Sequence, residues 1–314
     1  MSLPLSPPLP PQLAVSAKSL PDGDGWAFEP KLDGFRAIAF VDGADVFLQS
    51  RNGRPLGRYF PELRFPEGRY VVDGELVIRG PHGGEDFEGL QERIHPAASR
   101  VAMLAERSPA SFAAFDLLSE DDRSLLDRPF SERRAALEAM IADPLELTPS
   151  TTDRGRADDW LQTAEGVIAK RVEAPYQPGK REGMQKIKRV RTIDCVAVGW
   201  RPGKAEGTVG SIILGLYDEQ GELRVVGHSS GFTARRAREL VGELTPLESG
   251  QSGSTAPSRW DADRELEWRS LRPELVAEVS FDHRSRRRIR HGARLLRWRA
   301  DRDPASCRIE QLDA

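Results

Sequence analysis

The sequence predicts an α+β protein with two domains. A chain of 314 residues is long enough for two domains of ordinary size, and its hydrophobic fraction of 39% is enough to form cores. The first half alternates strand patterns with turn signals and helix patterns, whereas short strands dominate after about residue 191. We therefore expect antiparallel sheets with flanking helices in residues 1–191 and a β-barrel domain in residues 192–314.

The elements of the first domain follow from the spacing of apolar residues and from turn signals. Residues 1–20 are rich in proline, which is typical of an extended arm. Residues 35–49 hold two strand patterns around an Asp-Gly turn and predict a hairpin. Further strands are predicted at residues 69–79, 111–118, 165–171 and 184–190. Helices are predicted at residues 87–95, with Phe87, Leu90 and Ile94 on one face, and from about residue 131, with Ser131 as N-cap and Leu137, Met140 and Ile141 facing the core.

The second domain is predicted to contain five short strands and one helix. The helix pattern covers residues 233–244 and begins at Thr233, a residue type that caps helix N-termini. Residues 246–263 are polar and rich in glycine and serine, and we expect them to form a mobile loop. Five strands with an inserted helix are typical of a small OB-type barrel. The strand patterns lie at residues 194–200, 211–217, 222–228, 275–281 and 293–299.

Several classes of protein are excluded because their sequence patterns are missing. No run of about eighteen apolar residues occurs, and the N-terminus has neither the basic start nor the apolar block of a signal peptide. Cys195 and Cys307 are too few for a disulfide framework and are interpreted as packing residues. No P-loop, zinc-ligand spacing or nucleophile elbow is found. We expect a cytoplasmic protein without a membrane partner.

Positive charge is concentrated in two segments although the net charge is −3. Residues 180–191 hold three Lys and three Arg against one Glu, and residues 284–302 hold nine Arg against one Asp. Local patches, rather than the net charge, set the field that a polyanion meets. The two segments therefore favour a nucleic-acid partner, with a solvated basic face as the alternative interpretation.

Lys31 is the strongest candidate for chemistry. Only seven of the 46 basic residues are Lys, and Lys31 lies between Glu29 and Asp33 in the stretch EPKLDGFR. An amine can lose its proton and attack an electrophile, which a guanidinium in practice cannot do. If the electrophile is a nucleotide α-phosphate, the site also needs cations for the phosphate oxygens, carboxylates for a divalent metal and an aromatic ring for the base.

The sequence supplies candidates for each of these needs. Lys186 and Lys188 are two residues apart in a predicted strand, so both point to the same face. Glu75 and Glu165 are carboxylates on strand patterns, and Phe115 can provide the stacking ring. Taken singly, each residue favours an ordinary structural interpretation, since an aromatic residue on a strand usually belongs to the core. Their joint occurrence, in this order, favours nucleotidyl transfer.

The ordered set of motifs resembles the covalent nucleotidyltransferases, and most closely the ATP-dependent DNA ligases of the small stand-alone bacterial ligase C type. The resemblance covers nearly the whole chain. It implies a nucleotidyltransferase (adenylation) domain followed by an OB-fold domain, with no added DNA-binding, polymerase or nuclease domain. The matching motifs are EPKLDGFR (29–36), SRNGR (50–54), VVDGELV (71–77), FAAFDLL (112–118), EGVIAKR (165–171), QKIKR (185–189) and RADRD (299–303).

The resemblance implies a three-step reaction. Lys31 attacks the α-phosphate of ATP and becomes a lysyl-AMP, the AMP passes to the 5′-phosphate at a nick, and the 3′-hydroxyl then attacks that phosphate and seals the strand. The implied partner is nicked double-stranded DNA, the implied metal is Mg²⁺ or Mn²⁺, and the implied setting is DNA repair by a monomer on the bacterial nucleoid. An RNA ligase, an mRNA-capping guanylyltransferase and a non-catalytic nucleic-acid-binding protein remain alternatives.

The resemblance also implies a role for each candidate residue. Glu29 contacts the adenine amino group, and Phe115 stacks on the adenine. Arg36 and Glu75 meet the ribose, and Glu75 and Glu165 place the metal. Arg51, Lys186 and Lys188 contact phosphate groups, and Asp33 serves the final step. Three residues of the last motif orient the pyrophosphate: Arg299, Asp301 and Arg302. Arg302 stands where the family usually has Lys.

Overall fold

The computed structural model describes residues 3–80, 84–255, 266–282, 284–285, 287–289 and 292–312. The chain divides into two compact units, Met1–Arg189 and Val190–Ala314, and each combines mainly antiparallel sheets with helices. The predicted domain boundary, between residues 191 and 192, falls at the start of a strand, Arg191–Pro202. Within the described ranges, every helix is too short or too polar to cross a membrane.

In the part of the chain that the structure describes, the first unit contains two sheets and four α-helices. Their elements are β1 (Val15–Ala17), β2 (Trp26–Pro30), β3 (Phe35–Gly43), β4 (Asp45–Ser50), β5 (Gly68–Val77), α1 (Phe87–Glu92), α2 (Ala98–Arg107), β6 (Ser111–Glu120), β7 (Arg123–Ser124), α3 (Phe130–Met140), β8 (Glu146–Leu147), α4 (Arg154–Thr163), β9 (Gly166–Arg171) and β10 (Met184–Lys188). The smaller sheet has the order β1-β10-β9-β2, and the larger has the order β4-β3-β5-β6-β7 with β8 beside β6.

The larger sheet is buried on both faces. Strands β3 and β4 form the predicted hairpin, and β5 and β6 extend the sheet in antiparallel register. Alternate residues of β3 separate to opposite sides: Ala37 and Ala39 join one apolar cluster, whereas Ile38 and Phe40 join a second cluster with Tyr176. A sheet with a packed core on each face gives rigid support to the side chains that it carries.

Helix α3 begins earlier than predicted, and Ser131 is not its N-cap. The N-cap is Pro129, whose side chain makes no capping hydrogen bond. The amides of Phe130 and Ser131 instead donate to the carbonyls of Ala174 and Val172 at 3.0 and 2.9 Å. Main-chain acceptors that follow β9 therefore satisfy the start of this helix in place of a side chain.

The other helices differ from prediction in length and number. The helix predicted at residues 87–95 ends at Glu92, and Ile94, predicted on its buried face, is exposed. The structure contains two helices, α2 and α4, that the sequence did not predict. Helix α2 is amphipathic and buries Val101 and Leu104, and α4 has Asp153 as its N-cap, whose side chain accepts a hydrogen bond from the amide of Gly155 at 2.8 Å.

The second unit is one large sheet with a helix and a separate two-stranded ribbon. The elements are β11 (Arg191–Pro202), β12 (Val209–Tyr217), β13 (Leu223–Ser230), α5 (Ala234–Leu244), β14 (Glu248–Thr255), β15 (Leu266–Leu271), β16 (Val276–Phe281), β17 (Arg284–Ser285), β18 (Arg288–Ile289) and β19 (Arg294–Trp298). The strand order of the large sheet is β13-β12-β11-β15-β14, β16 pairs with β11 and with β19, and the ribbon is β17 and β18. No ladder between the described strands closes the large sheet into a barrel.

In the second unit the predicted helix cap and the buried thiols are confirmed, whereas the predicted loop is wrong and so is the number of five strands, since the described residues form nine. The Thr233 side chain caps α5 by accepting a hydrogen bond from the amide of Arg236, and Cys195 and Cys307 are buried free thiols in the core. The mobile loop predicted at residues 246–263 is wrong over Glu248–Thr255, which forms β14 against β15. Main-chain hydrogen bonds hold this polar strand, and the pattern of hydrophobic residues in a sequence does not reveal such bonds. Residues 256–263 lie outside the described residues.

The N-terminal arm packs along the first unit. Leu3, Leu5 and Leu9 contact the apolar cluster that contains Ile38 and Phe40. The main chain of Leu9 also exchanges two hydrogen bonds with the buried side chain of Gln49, at 2.9 and 2.7 Å. The arm then enters β1, which pairs in parallel with β10 and completes the smaller sheet. It is therefore an integral part of the first unit.

Candidate functional site

A cavity of about 260 Å³ lies in the first unit and is lined by both sheets and by the N-terminal arm. The arm contributes Pro11, Leu13 and Ala14. Seven residues that the sequence singled out line this cavity together, although they come from five separate motifs. They are Glu29, Lys31, Arg36, Arg51, Glu75, Phe115 and Lys186.

The smaller sheet presents a row of side chains to the cavity. Glu29 on β2 pairs with Ile168 on β9, and Ile168 pairs with Lys186 on β10. Residues that pair directly across strands share a face of the sheet, so these three side chains lie in one row. Lys188 is two residues beyond Lys186 and shares its face, whereas Ile187 between them is buried in the apolar cluster on the other side.

Lys31 follows β2 and is held by its main chain. Its amide donates to the carbonyl of Gly166 at 2.9 Å, and its ammonium group donates to the carbonyl of Leu32 at 3.3 Å. Gly166 has a φ of 141°, and a Cβ there would lie 2.2 Å from the carbonyl oxygen of Ile187. Only glycine permits this approach. The glycine of the EGVIAKR motif thus lets β10 approach β9 closely, and its carbonyl holds the main chain of Lys31.

Phe115 reaches the cavity through a β-bulge. In the ladder between β5 and β6, Asp73 pairs with Asp116 and Gly74 pairs with Ala114, so Phe115 is the extra residue of β6. A bulge turns its unpaired residue away from the regular alternation of the strand. The ring of Phe115 is only partly buried and lines the cavity, which explains why it is not an ordinary core residue.

Glu29 is a buried carboxylate with a buried cation beside it. Its Oε2 lies 2.8 Å from the Nζ of Lys170, and its Oε1 lies 3.5 Å from a guanidinium nitrogen of Arg134. Burial raises the pKa of Glu29, the charges of Lys170 and Arg134 oppose this rise, and Asp116 adds to it. Burial and neighbouring cations therefore act in opposite directions on the charge of Glu29.

Arg36 is anchored from behind by a chain of hydrogen bonds. Its guanidinium donates to both carboxylate oxygens of Asp73, at 2.9 and 2.6 Å. Asp73 is fully buried and also accepts a hydrogen bond from the hydroxyl of Tyr176 at 2.6 Å. That hydroxyl in turn accepts from the amide of Gln12 in the arm at 3.0 Å. The chain connects the arm to Arg36, which lies 5.0 Å from the centre of the Phe115 ring.

Glu75 lies on β5 directly opposite Arg36. Burial raises the pKa of Glu75 to about 7, Arg36 and Lys31 oppose the rise, and the carboxylates of Asp73 and Asp33 add to it. Asp33 is not among the residues that line the cavity, but it is close enough to Glu75 to act on its charge. A pair of neighbouring carboxylates of this kind is stabilised by a cation.

Positive groups converge around Lys186. Partial burial lowers the pKa of Lys186, and the nearby charges of Lys188, Arg51, Arg181 and Lys31 lower it further. Like charges are placed together here at an electrostatic cost, which an anion would relieve. The arrangement can therefore bind a phosphate group, although Lys188 does not itself line the cavity.

Glu165 lies outside the cavity lining, immediately before β9. Its main-chain carbonyl accepts a hydrogen bond from the amide of Arg189 at 3.2 Å. Glu165 and Asp33 both act on the carboxylate of Glu85 and raise its pKa, after burial, which is the largest cause. Over the described ranges, no group of three or more His, Cys, Asp or Glu residues is arranged to hold a metal.

The arginines of the final motif belong to the second unit and are bound to carboxylates there. Arg299 donates to both oxygens of Asp301 at 2.9 and 2.8 Å and to Asp194 at 3.4 Å. Arg302 donates to Asp194 at 2.9 Å. Asp194 is 7% exposed and is the first acidic residue of β11.

The sequence interpretation missed several residues that shape the cavity. Lys170 and Arg134 hold Glu29, and Asp73, Tyr176 and Gln12 hold Arg36. The scarcity of Lys could have singled out Lys170, since it lies inside a quoted motif. No local signal points to Tyr176 or Gln12, because their partners are more than 100 residues away along the chain.

Comparison with known proteins points to one family. Residues 11–188 match the family model described as the ATP dependent DNA ligase domain, and residues 205–302 match the model of the ATP dependent DNA ligase C terminal region. The chain is 47% identical to DNA ligase C1 of Mycolicibacterium smegmatis, over all of this chain and 96% of that protein. It is 46% identical to DNA ligase C of Mycobacterium tuberculosis, again over all of this chain and 96% of the relative.

Solved structures agree with this similarity. The chain resembles the crystal structure of the ligase domain of M. tuberculosis LigD, with a TM-score of 0.53, 30% identity, and coverage of 95% of this chain and 97% of that one. It also resembles mycobacterial DNA ligase D solved in complex with ATP and MES, with a TM-score of 0.54, 30% identity and the same coverage.

Proposed function

The chain belongs to the family of ATP-dependent DNA ligases, and on this premise we propose that it seals nicks in duplex DNA through a lysyl-AMP intermediate on Lys31. One observation carries the proposal: Lys31 lines the same cavity as a candidate base-stacking ring, Phe115, and a candidate phosphate-binding cation, Lys186. The comparisons do not favour an RNA ligase or a capping guanylyltransferase, since the relatives that match the full chain are named DNA ligases.

In the first step, the amine nitrogen of Lys31 bonds to the α-phosphorus of ATP. The bond from that phosphorus to the bridging oxygen breaks, pyrophosphate leaves, and the amine proton passes to solvent. We assign Phe115 to stacking on the adenine and Glu29 to its amino group, with Arg36 and Glu75 at the ribose. Splitting the ligation into successive transfers replaces one difficult condensation with easier steps.

The phosphate oxygens of the same nucleotide are assigned to the basic side of the cavity. Lys188 and Arg51 are close enough to act on the charge of Lys186, and an α-phosphate bound there would relieve this repulsion. Arg51 is exposed and is also assigned to the phosphate at the nick. Arg299, Asp301 and Arg302 are assigned to the orientation of the pyrophosphate.

We propose Mg²⁺ or Mn²⁺ as the metal, with Glu75 and Glu165 as its protein ligands. The donor set fits because Mg²⁺ sites in nucleotide enzymes use one or two carboxylates and complete their coordination with phosphates and water. The raised pKa of Glu75 and the nearby Asp33 indicate an excess of negative charge that a cation would compensate. A bound metal would neutralise charge on the phosphate oxygens.

The later steps require DNA in the same pocket. We propose that AMP passes from Lys31 to the 5′-phosphate of a nick, and that Asp33 serves the final attack by the 3′-hydroxyl. The basic segments at residues 180–191 and 284–302 are assigned to the DNA backbone, where contacts do not read sequence and weaken with salt. We expect a monomer in the cytoplasm that repairs DNA of the nucleoid.

We also propose that the second unit is an OB-fold barrel. Strands β13 and β19 are two of the three ends of its branched sheet, and contacts between residues on or beside these two strands support closure. Ser229 forms an isolated bridge with Ala293, the amide of Ala293 donates to the carbonyl of His228 at 2.7 Å, and the amide of Leu295 donates to the hydroxyl of Ser229 at 3.0 Å. Deuterium exchange tests this, since a closed barrel predicts slow exchange at both amides and an open edge predicts fast exchange.

The decisive experiment is mass spectrometry of the protein after incubation with ATP and Mg²⁺, followed by a nicked-duplex assay. We expect an AMP adduct on Lys31 in the wild type, and none in Lys31→Ala or Lys31→Arg, because a guanidinium keeps the charge without the nucleophilic nitrogen. Lys18→Ala changes an exposed lysine and is the matched control. Adduct formation in Lys31→Arg, or sealing by Lys31→Ala, would overturn the proposal.

A further inference from the structure

Lys170 is a buried lysine whose ammonium group meets a carboxylate and a main-chain carbonyl. Its Nζ lies 2.8 Å from Glu29 and donates to the carbonyl of Phe115 at 3.3 Å. The same ammonium group lies 4.6 Å from the centre of the Phe115 ring and 4.5 Å from that of Phe130. A carboxylate, a carbonyl and two aromatic rings therefore surround the ammonium group and hold it in one position.

Lys170 is also the nearest cation to Glu29. Arg134 on α3 approaches the other carboxylate oxygen at 3.5 Å, but it also donates to Glu138 at 2.7 Å. Asp116 on β6 adds negative charge, which its own pairing with Arg133 moderates. A carboxylate that is 2% exposed keeps its charge only with a close counter-ion.

We propose that Lys170 is a positioning residue that keeps Glu29 ionised and thereby makes the pocket select a 6-aminopurine over a 6-oxopurine nucleotide. The inference rests on the proposed function, in which Glu29 meets the adenine amino group. An ionised carboxylate can only accept hydrogen bonds, so it pairs with the 6-amino group of adenine and repels the 6-oxygen of guanine. A protonated carboxyl group can donate, and this would make guanine acceptable.

The chemistry predicts a pH signature for the loss of Lys170. In Lys170→Met the stem volume is kept and the counter-ion is removed, so the pKa of Glu29 rises further above its usual range. A raised pKa means that the carboxyl group is protonated at low pH and ionises as the pH rises through its new value. Base selection should therefore be weak at low pH and recover at high pH, whereas the wild type should select ATP throughout.

The experiment compares the initial rates of AMP and GMP adduct formation on Lys31 in the full chain, with ATP or GTP, at about pH 6.5 and about pH 9. For Lys170→Met we expect the GTP-to-ATP rate ratio to rise about tenfold or more at the lower pH and to fall back at the higher pH. Lys18→Met makes the same substitution at an exposed lysine and should leave the ratio at the wild-type value.

A second variant keeps the test decisive if Lys170→Met does not fold. Glu29→Gln combined with Lys170→Met buries no unpaired charge, and a Gln amide can donate as well as accept. We expect this variant to lose base selection equally at both pH values. A wild-type GTP-to-ATP ratio in either folded variant would overturn the inference. Absence of any adduct in the wild type would instead overturn the proposed function, so the two failures are distinct.

Discussion

The charged groups around the cavity of the first unit and the arginine cluster of the second unit, Arg299 and Arg302, are arranged in opposite ways. In the first unit, Lys31 and Lys186 line the cavity. In the second unit, both arginines donate to carboxylates of Asp194 or Asp301. A phosphate can approach the first set by displacing water, whereas it must displace a carboxylate from the second. Under the proposed function, the first site would therefore be preorganised for phosphate, and the second would have to exchange partners.

The ion pairs of the two regions also differ in depth. Glu29 with Lys170 and Asp73 with Arg36 are pairs in which the carboxylate is buried and held by several groups. Arg302 is about half exposed, with 48% of its side chain accessible, although the carboxylate that it binds is buried too. Buried pairs are hard to break because they leave an uncompensated charge, whereas exposed pairs contribute little and exchange readily. The exposure of Arg302 thus makes its pair easier to exchange than the buried pair of Glu29 with Lys170.

The largest effect should come from removing a cation of the preorganised set. Lys186→Ala should slow the adenylation of Lys31 by about 10²–10³-fold, because a charged group aimed at the reacting phosphate is lost. Single-turnover formation of the AMP adduct measures this rate. Lys180→Ala removes an exposed cation of the same basic segment and should have a small effect. Equal losses in the two variants would contradict a specific role for Lys186.

A smaller effect should follow from loosening the support beneath the cavity. Tyr176→Phe keeps the buried ring and removes the hydroxyl that donates to Asp73 and accepts from Gln12. We expect KM for ATP to rise about tenfold with a smaller change in kcat, since a hydrogen bond to a charged group contributes about 1.5 kcal/mol. The preference for ATP over 2′-deoxy-ATP should also fall, because Arg36 is assigned to the ribose.

The control for this prediction is Tyr70→Phe. The Tyr70 hydroxyl donates to the carbonyl of Pro66 at 2.8 Å, so the substitution removes a tyrosine hydrogen bond in the same unit without touching the cavity lining. Its KM for ATP should stay near the wild-type value. If Tyr176→Phe lowered stability but left KM and the sugar preference unchanged, the chain from Gln12 to Arg36 would be structural only.

The smallest effect should come from the exchangeable pairs of the second unit. Asp194→Asn removes the carboxylate charge that binds Arg302 and Arg299. Because the arginines then leave their partner more easily to orient the pyrophosphate, adenylation at low ATP concentration should become about two- to tenfold faster. Glu222→Gln weakens an exposed pair with Arg224 and is the control. Slower adenylation in a folded Asp194→Asn variant would mean that Asp194 positions the arginines and does not hold them back.

The sequence by itself determined several of the candidate residues that meet in one cavity and much of the regular structure. Local periodicity predicted the β3–β4 hairpin and the start of α5 at Thr233, because apolar alternation and capping depend on near neighbours along the chain. The order of the motifs predicted that Glu29, Lys31 and Lys186 belong to one site. It did not predict α4, β14 or β15, and it missed α2 although the amphipathic pattern of this helix is a local signal.

Only the tertiary structure decided how those residues are held. The bulge that places Phe115, the pairing of Lys170 with Glu29 and the chain from Gln12 to Arg36 join segments far apart in sequence. The capping of α3 by main-chain carbonyls, in place of Ser131, has the same origin. A sequence pattern reports which face of an element is apolar, but the partner of a buried charge is set by which strands come together, because burial makes that pairing obligatory.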